Sequence, residues 1–198
     1  MHIKHIRPPL LVVGLIILGA TLFVMLKQTF RREVPSVEPG IQITEGGSFK
    51  LSSPVFDAQG TIPAVYTCKG ASINPPLTIE NAPGNAKTFV LIVHDPDASN
   101  GDWVHWLVWN IPVTTTTISE HSVPENASQG TSDFGSVGYG GPCPPANSGT
   151  HHYVFELYAL NDTVSLDPQT KRDGLVSAMN GKLIARTQLV GTVETAKN

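Results

Sequence analysis

The sequence has no lysine or arginine between Lys87 and Lys171, a gap that covers the middle of the 198-residue chain. Nucleic-acid backbones are bound mainly by such cationic side chains, so this segment is not expected to contact DNA or RNA. Any anion held there must rely on imidazole groups and backbone N–H groups. The chain also lacks H-x-x-x-H and C-x-x-C spacings, which are typical of many metal sites, so no metal or other cofactor is expected.

Acidic residues are absent from the first 32 positions, which contain five of the thirteen basic residues. The remainder of the chain therefore has eight basic and sixteen acidic residues, a formal charge of −8. An acidic domain is a poor nucleic-acid binder, which again argues against a nucleic-acid partner. A protein partner cannot be identified from this charge pattern.

The N-terminal segment Leu10–Leu26 contains no charged residue and is flanked on both sides by basic residues. As a helix it would be ~25 Å long, close to the ~30 Å of a hydrocarbon core. No A-x-A cleavage site follows it, which favours an uncleaved transmembrane helix over a cleaved signal peptide. We therefore predict a membrane anchor over residues 1–27, a linker over residues 28–46 and a folded domain over residues 47–195.

The two cysteines of the chain are Cys68 and Cys143. A short N-terminal anchor usually carries a translocated C-terminal domain, and an oxidising compartment allows a disulfide. A Cys68–Cys143 bridge would close a long loop and stabilise the fold by roughly 4 kcal/mol. Two buried free thiols are the alternative.

Short apolar runs separated by Gly, Pro, Asn and Asp predict a mainly β domain. Phe89–Val93 is continuously apolar, as expected of a central strand covered on both faces. In the next predicted strand, Trp103–Ile111, a period of two places Trp103, His105, Leu107 and Trp109 on one face. A third strand is predicted at Tyr153–Leu160, after a long polar loop with edge pieces at Thr114–Gly141.

One soluble helix is predicted after the third strand. Asp167 is a candidate N-cap with Pro168 in the first turn, and Leu175, Met179 and Leu183 then form an apolar stripe. Gln188–Thr192 indicates a short final strand or tail. Many short strands with a late helix predict a β-sandwich with peripheral helical decoration.

The loop after the first long strand contains Asp95 and Asp97 on either side of a proline. In an extended backbone, residues two apart share a side, so both carboxylates can face one space. Two carboxylates can hold an ammonium group or tune each other's pKa. The alternative is a turn closed by side-chain to backbone bonds. His105 follows in a tryptophan-rich strand and is a further candidate, although a lone histidine there can be a core group.

A second polar loop reads GYGGPCPP and leads into His151, His152 and Tyr153. Its glycines allow a ligand to approach the backbone closely, and successive N–H groups can form an anion-binding concavity. His151 and Tyr153 share one face of the strand, so we predict His151 in the site and His152 outside it. Imidazoles and glycine N–H groups suit a phosphate, and two aspartates suit an amine.

Five blocks of the sequence together resemble the phosphatidylethanolamine-binding protein family, also called Raf-kinase-inhibitor-like proteins, in its bacterial branch. They are SSPVFDAQGTIPAVYTCKG, NPPL, HDPDAS with WVHWLVWNIP, GYGGPCPP, and GTHHYVFELYAL. The resemblance implies a large antiparallel sheet packed on a smaller one, peripheral helices, and a pocket for phosphoryl-ethanolamine-like headgroups. Carried over by motif, the pocket residues are Asp95, Asp97, His105, Gly141, Pro142, Pro145, His151 and Tyr153.

The apolar N-terminal segment and the bacterial branch together predict a bacterial inner-membrane protein with one span and its domain on the extracytoplasmic side, although an anchored N-terminus is not a general family feature. The resemblance also implies inhibition of kinases or serine proteases by related proteins. This sequence departs from the family pattern at Ser99, where proline is usual, at His152, where arginine is usual, and at Asp133, where asparagine is frequent. The lost arginine would weaken any contact that it makes.

We therefore expect a ligand-binding protein and not an enzyme. The alternatives are a hydrolase that uses Cys143, a histidine and Asp95, and a structural domain with a vestigial pocket. A metal site built from His94, Asp95, Asp97, His105 and His151 is a further alternative. His94 is expected to point away from Asp95, since neighbouring residues of a strand face opposite sides.

Overall fold

The computed structural model describes residues 48–195. The predicted anchor over residues 1–27 and the linker over residues 28–46 lie outside the described residues. Within the described part, no helix is long and apolar enough to cross a membrane. The strands are β1 (Lys50–Ser52), β2 (Leu77–Glu80), β3 (Thr88–Asp95), β4 (Trp103–Pro112), β5 (Thr117–Ile118), β6 (Ser128–Gln129), β7 (Thr150–Leu160) and β8 (Leu183–Glu194). A 3₁₀-helix spans Ala64–Tyr66 and an α-helix, α1, spans Arg172–Met179.

The strands form two antiparallel sheets, which confirms the predicted mainly β class with a larger and a smaller sheet. The larger sheet has the order β6-β4-β3-β7-β8, and the smaller one has the order β1-β2-β5. Central strand β3 pairs with β4 on one side and with β7 on the other. These three strands therefore end side by side, and the loops that follow or precede them meet at one end of the sheet.

The larger sheet is covered on both faces. One face packs its apolar side chains, among them Leu91 and Phe155, against Leu51 and Ile79 of the smaller sheet. The other face packs against Leu175 of α1 and its neighbours. Every residue of β3 is buried, as its continuous apolar sequence predicted. We call these faces the sandwich face and the helix face.

Strand β4 does not alternate regularly. His94 of β3 pairs with Val104 and Val93 pairs with Trp106, so His105 is an extra residue in the ladder. This is a β-bulge, which changes the direction of the side chains that follow it. The predicted single face is therefore wrong. Leu107 and Trp109 pack on the helix face, whereas Trp103 and His105 line a pocket at the end of the sheet.

The predicted helix begins later than the Asp167–Pro168 pair. The Asp167 carboxylate accepts the Gln169 backbone N–H at 2.7 Å, which closes a turn and does not cap α1. Helix α1 begins at Arg172, and Leu175 and Met179 are its buried residues, as predicted. Gly181, with φ of 72°, follows the helix end. The chain then extends, so Leu183 is the first residue of β8 and not part of the helical stripe.

The polar segment between β4 and β7 contains two edge strands of two residues each, β5 and β6. This agrees with the predicted long loop with short edge strands. The predicted final strand is also present, but β8 has twelve residues and pairs with β7 along nearly its full length. The long β7–β8 ladder holds the start of β7, with its two histidines, in a defined register.

Candidate functional site

A pocket of about 210 Å³ opens to solvent at the end of the larger sheet. It lies where the DPD loop (residues 95–102) leaves β3 and where the Gly-Pro loop (residues 138–149) leads into β7. Its lining combines polar groups with an apolar wall. The lining residues are Asp95, Ala98, Ser99, Asn100, Trp103, His105, Phe134, Cys143, Pro144, Pro145, His151 and Tyr153.

Asp95, His151 and Ser148 form a continuous hydrogen-bonded chain. His151 Nδ1 lies 2.7 Å from Asp95 Oδ2, and His151 Nε2 lies 2.8 Å from Ser148 Oγ. The Asp95 and His151 side chains are only 5% and 4% exposed. Both ring nitrogens of His151 are therefore occupied by protein oxygens, which holds the ring in place at the pocket wall.

Asp97 does not line this pocket. Asp95 Oδ1 accepts the Asp97 backbone N–H at 2.9 Å, so this loop forms the turn that is the alternative interpretation of its sequence. The Asp97 carboxylate points to His152 and accepts its backbone N–H at 2.8 Å and its Nδ1 at 2.7 Å. These bonds hold the pKa of Asp97 below its usual value. His152 thus pairs with Asp97 at the position where the family usually has arginine.

His105 lies in the pocket beside Trp103, on the side that regular alternation gives it, and the β4 bulge redirects the residues after it. Its Nδ1 lies 2.7 Å from the Gly140 carbonyl oxygen, which can only accept a hydrogen bond, so Nδ1 carries the proton. In the neutral ring, Nε2 then presents a lone pair. Burial lowers the pKa of His105, and the bond to Gly140 opposes this only in part. The neutral ring is consequently the dominant form at neutral pH.

Tyr153 is the floor of the pocket and is 1% exposed. Its ring contacts the His105 ring edge to face, with centroids 5.1 Å apart. Its hydroxyl is buried and makes no hydrogen bond of good geometry, although it is close enough to the Asp95 carboxylate to interact with it. Burial and the nearby Asp95 charge raise the pKa of this hydroxyl far above its usual value, so it remains protonated.

The Gly-Pro loop contributes Cys143, Pro144 and Pro145 to the pocket, but not Gly141 or Pro142. A Cβ on Gly141 would lie 2.7 Å from Ser72 Oγ and 2.9 Å from the Tyr66 carbonyl oxygen. This glycine therefore allows two chain segments to approach closely, and its N–H donates to Ser72 Oγ.

A disulfide between Cys68 and Cys143 joins the same two chain segments covalently. A backbone hydrogen bond from the Cys68 N–H to the Pro142 carbonyl oxygen, at 3.0 Å, also connects them. The disulfide leaves Cys143 without a thiolate, so Cys143 cannot serve as the nucleophile of the hydrolase alternative.

His94 lies on the helix face, away from Asp95, as predicted. Its Nδ1 is 2.5 Å from Asp102, its Nε2 is 3.5 Å from Glu156, and Arg172 of α1 contacts both carboxylates. Burial alone would lower the pKa of His94, but the bonds to Asp102 and Glu156 outweigh it and raise the pKa. Residues 48–195 contain no group of three or more His, Cys, Asp or Glu side chains arranged for a metal ion.

Sequence reasoning did not identify the apolar wall or Ser148. Phe134 comes from the polar segment, 47% exposed, and contacts His105 and Trp103 edge to face. No periodic signal marks it. Ser148 lies three residues before His151, and only this spacing could have drawn attention to it.

Comparison with known proteins agrees with the architecture. Residues 52–194 match the model of the phosphatidylethanolamine-binding protein family. A UPF0098 protein of Pyrococcus horikoshii is 45% identical over 164 residues, which cover 78% of this chain and 83% of that protein.

Two crystal structures are also similar, each with a TM-score of 0.71. A phosphatidylethanolamine-binding protein homologue from Chlamydia trachomatis is 36% identical and covers 76% of this chain and 99% of its own. Escherichia coli YbcL, described as a member of the mammalian family, is 30% identical and covers 75% and 99%. The chain therefore belongs to the phosphatidylethanolamine-binding protein family.

Proposed function

We propose that the pocket binds a small zwitterionic phosphoryl compound of the phosphoethanolamine type. The observation that carries this proposal is a pocket open to solvent in which Asp95, His105 and Tyr153 converge. A few convergent polar groups within an otherwise apolar lining are typical of a small-molecule site. The name of the family, phosphatidylethanolamine-binding protein, is consistent with such a ligand.

The charges of the lining suggest how the two ends of the ligand are held. Asp95 is the acidic side chain of the lining, and it suits an ammonium group. The lining contains no lysine or arginine. A phosphate therefore depends on Tyr153 as a donor and on His105, whose neutral Nε2 accepts but does not donate.

Binding of the phosphate should take up a proton. Either the ligand arrives with a protonated phosphate oxygen, which donates to His105 Nε2, or His105 becomes protonated and donates. Because burial lowers the pKa of His105, its cation forms only at acid pH unless a bound anion stabilises it. Affinity should thus increase as the pH falls from neutral toward about 5.5.

Calorimetric titration with phosphoethanolamine at about pH 5.5 and about pH 7.5 tests this, each in two buffers of different ionisation enthalpy. We expect stronger binding at the lower pH and a buffer-dependent heat. Tyr153→Phe should weaken binding about tenfold, equivalent to one hydrogen bond of about 1.4 kcal/mol. Tyr158→Phe, on the same strand but on the helix face, is the matched control and should leave affinity unchanged. Absence of binding at both pH values contradicts the proposal.

We further propose that the apolar segment Leu10–Leu26 anchors the domain to a membrane, with the domain on the oxidising side. Its support is the uncharged sequence and the presence of a disulfide between exposed cysteines in the domain. The full chain should remain with the membrane pellet after alkaline carbonate extraction. Added protease should digest the domain in spheroplasts without lysis; protection there contradicts the orientation.

A further inference from the structure

The hydrogen-bonded chain Ser148–His151–Asp95 has a consequence beyond ligand binding. A hydroxyl oxygen, an imidazole and a buried carboxylate are joined in that order by contacts of 2.8 Å and 2.7 Å. His151 and Asp95 are almost fully buried, whereas Ser148 is exposed. This is the order of groups in which a carboxylate orients an imidazole and the imidazole removes a proton from a hydroxyl.

Ser148 lies beside the pocket and is not one of its lining residues. Its exposed side chain contacts two lining residues, His151 Nε2 at 2.8 Å and the Pro145 carbonyl oxygen at 2.7 Å, so a molecule that extends out of the pocket can reach its Oγ. The hydroxyl has one proton and two acceptors within reach. When the proton points to the Pro145 carbonyl oxygen, the serine closes a local turn. When it points to His151 Nε2, the imidazole can remove the proton and the serine oxygen can act as a nucleophile.

We propose that Ser148 is a nucleophile activated by His151 and oriented through Asp95, and that its substrates are small uncharged acyl esters. Ser148 Oγ would attack the ester carbonyl carbon while its proton passes to His151 Nε2. The tetrahedral intermediate would then release the alcohol, which takes the proton from Nε2, and leave an acyl-serine. Water, deprotonated by the same imidazole, would release the carboxylic acid and restore the hydroxyl.

The pocket lining supports an uncharged acyl group. Trp103, Phe134 and Pro144 form an apolar wall, and no cationic side chain lines the pocket. The volume of about 210 Å³ limits the acyl group to a few carbon atoms. The Asn100 carboxamide belongs to the same lining and can donate a hydrogen bond to a developing oxyanion.

A short-chain fluorophosphonate tests the nucleophile, because a serine oxygen that displaces fluoride from phosphorus becomes stably labelled. Intact-mass and peptide mass spectrometry of the full chain should place the label on Ser148. Ser122 is the matched internal control, since its Oγ also donates to a carbonyl oxygen three residues earlier, that of Ser119 at 2.9 Å, with no imidazole contact. We expect Ser148 to react at least tenfold faster than Ser122.

Two variants and one ester complete the test. Ser148→Ala, at an exposed position, should abolish the label and lower p-nitrophenolate release from p-nitrophenyl acetate, whereas Ser122→Ala should change neither. His151→Gln should slow labelling about a hundredfold or more. Equal labelling of Ser148 and Ser122, or ester hydrolysis that Ser148→Ala does not reduce, would overturn the proposal.

The pH dependence of labelling provides a readout that does not need a buried variant. A general base accepts a proton only in its neutral form, so labelling of the unmodified chain should be slower in acid than at neutral pH. The titratable groups around His151 are Asp95 and Asp97 after β3, His105 on β4 and Tyr153 on β7. A flat or opposite profile contradicts a role of His151 as base. This inference does not depend on phosphoethanolamine binding, and the two can fail separately.

Discussion

His94 and His105 are two buried histidines on neighbouring strands of one sheet, yet their surroundings favour opposite protonation states. His94, on the helix face, contacts the carboxylates of Asp102 and Glu156, which raise its pKa. His105, in the pocket, has one backbone carbonyl as its close partner, and burial lowers its pKa. Burial is similar in the two cases, so the partners decide which form is stable.

The two sites consequently have different uses. On the helix face, Arg172 and His94 together balance two carboxylates and connect α1, β3, β7 and the DPD loop. Each of the four groups contacts an oppositely charged partner, although His94 Nε2, 3.5 Å from Glu156, makes no hydrogen bond. In the pocket, His105 is bonded through Nδ1, which leaves the Nε2 lone pair for a ligand. A network of paired charges is typical of a structural cluster, whereas polar groups in a pocket open to solvent are typical of a binding site.

The largest expected effect on the free energy of unfolding comes from the disulfide, which holds the Gly-Pro loop at the pocket. The helix-face network contains no such covalent bond. A Cys68→Ser, Cys143→Ser double variant should lose roughly 4 kcal/mol of unfolding free energy, because the bridge closes a loop with a sequence separation of 75. Urea unfolding monitored by tryptophan fluorescence measures this. The NMR titration of His94 in this variant should be the same as in the unmodified protein. A loss of unfolding free energy below about 1 kcal/mol contradicts the expectation.

The next effect separates the two histidines directly. His94→Leu should cost about 2 kcal/mol, since it leaves the partly buried Glu156 and the 37% exposed Asp102 with Arg172 as their remaining cationic partner, and solvent screens the Asp102 part. His105→Leu should cost about 1 kcal/mol, because one neutral hydrogen bond to Gly140 is lost. Both values come from the same unfolding experiment. Equal losses, or a larger loss for His105→Leu, would show that the charge network does not stabilise the fold.

Titration gives a smaller effect, with a defined sign. The pKa of His94 is higher in the folded state than in the unfolded state, so the protonated ring stabilises the fold. This contribution is complete below about pH 6.5 and disappears as the pH rises through the folded-state pKa.

The carboxylates of the helix-face network have the opposite sign. The pKa values of Asp102 and Glu156 are lowered in the fold, because His94 and Arg172 outweigh the effect of burial. Their contribution is present above about pH 4 and disappears as the pH falls. NMR of the imidazole protons should show His94 titrating above, and His105 below, the usual midpoint. The reverse order would break the comparison.

The smallest effect is expected at His152. The His152 and Asp97 side chains are 45% and 42% exposed, in contrast to the buried His151–Asp95 pair. Solvent screens an exposed ion pair, so His152→Gln should cost no more than about 0.5 kcal/mol in urea unfolding. His152→Arg, which restores the usual family residue, is the companion variant and should also remain within about 0.5 kcal/mol.

Several features of this domain were accessible from local sequence. The continuous apolar run of β3 predicted a strand buried on both faces, and strand alternation placed His94 opposite Asp95 and His151 beside Tyr153. These inferences succeeded because side-chain direction in a regular strand depends only on neighbouring residues. The family motifs added the two-sheet architecture.

Other features depended on residues far apart in the chain. An extra residue in the β4 ladder turns Leu107 and Trp109 away from the side of His105, and the packing of Gly141 against Ser72 leaves that glycine in a structural role. Phe134 reaches the pocket from a segment with no periodic pattern.

The amino-acid sequence by itself determined the strand pattern, the family and the chemical types of the groups available for a site, because those properties are local. Only the tertiary structure decided which groups meet. It separated Asp97 from the pocket, joined Ser148 to His151, and gave the two buried histidines opposite pKa shifts. The physical reason is that hydrogen bonding, desolvation and charge interactions depend on distances between residues that the linear chain does not specify.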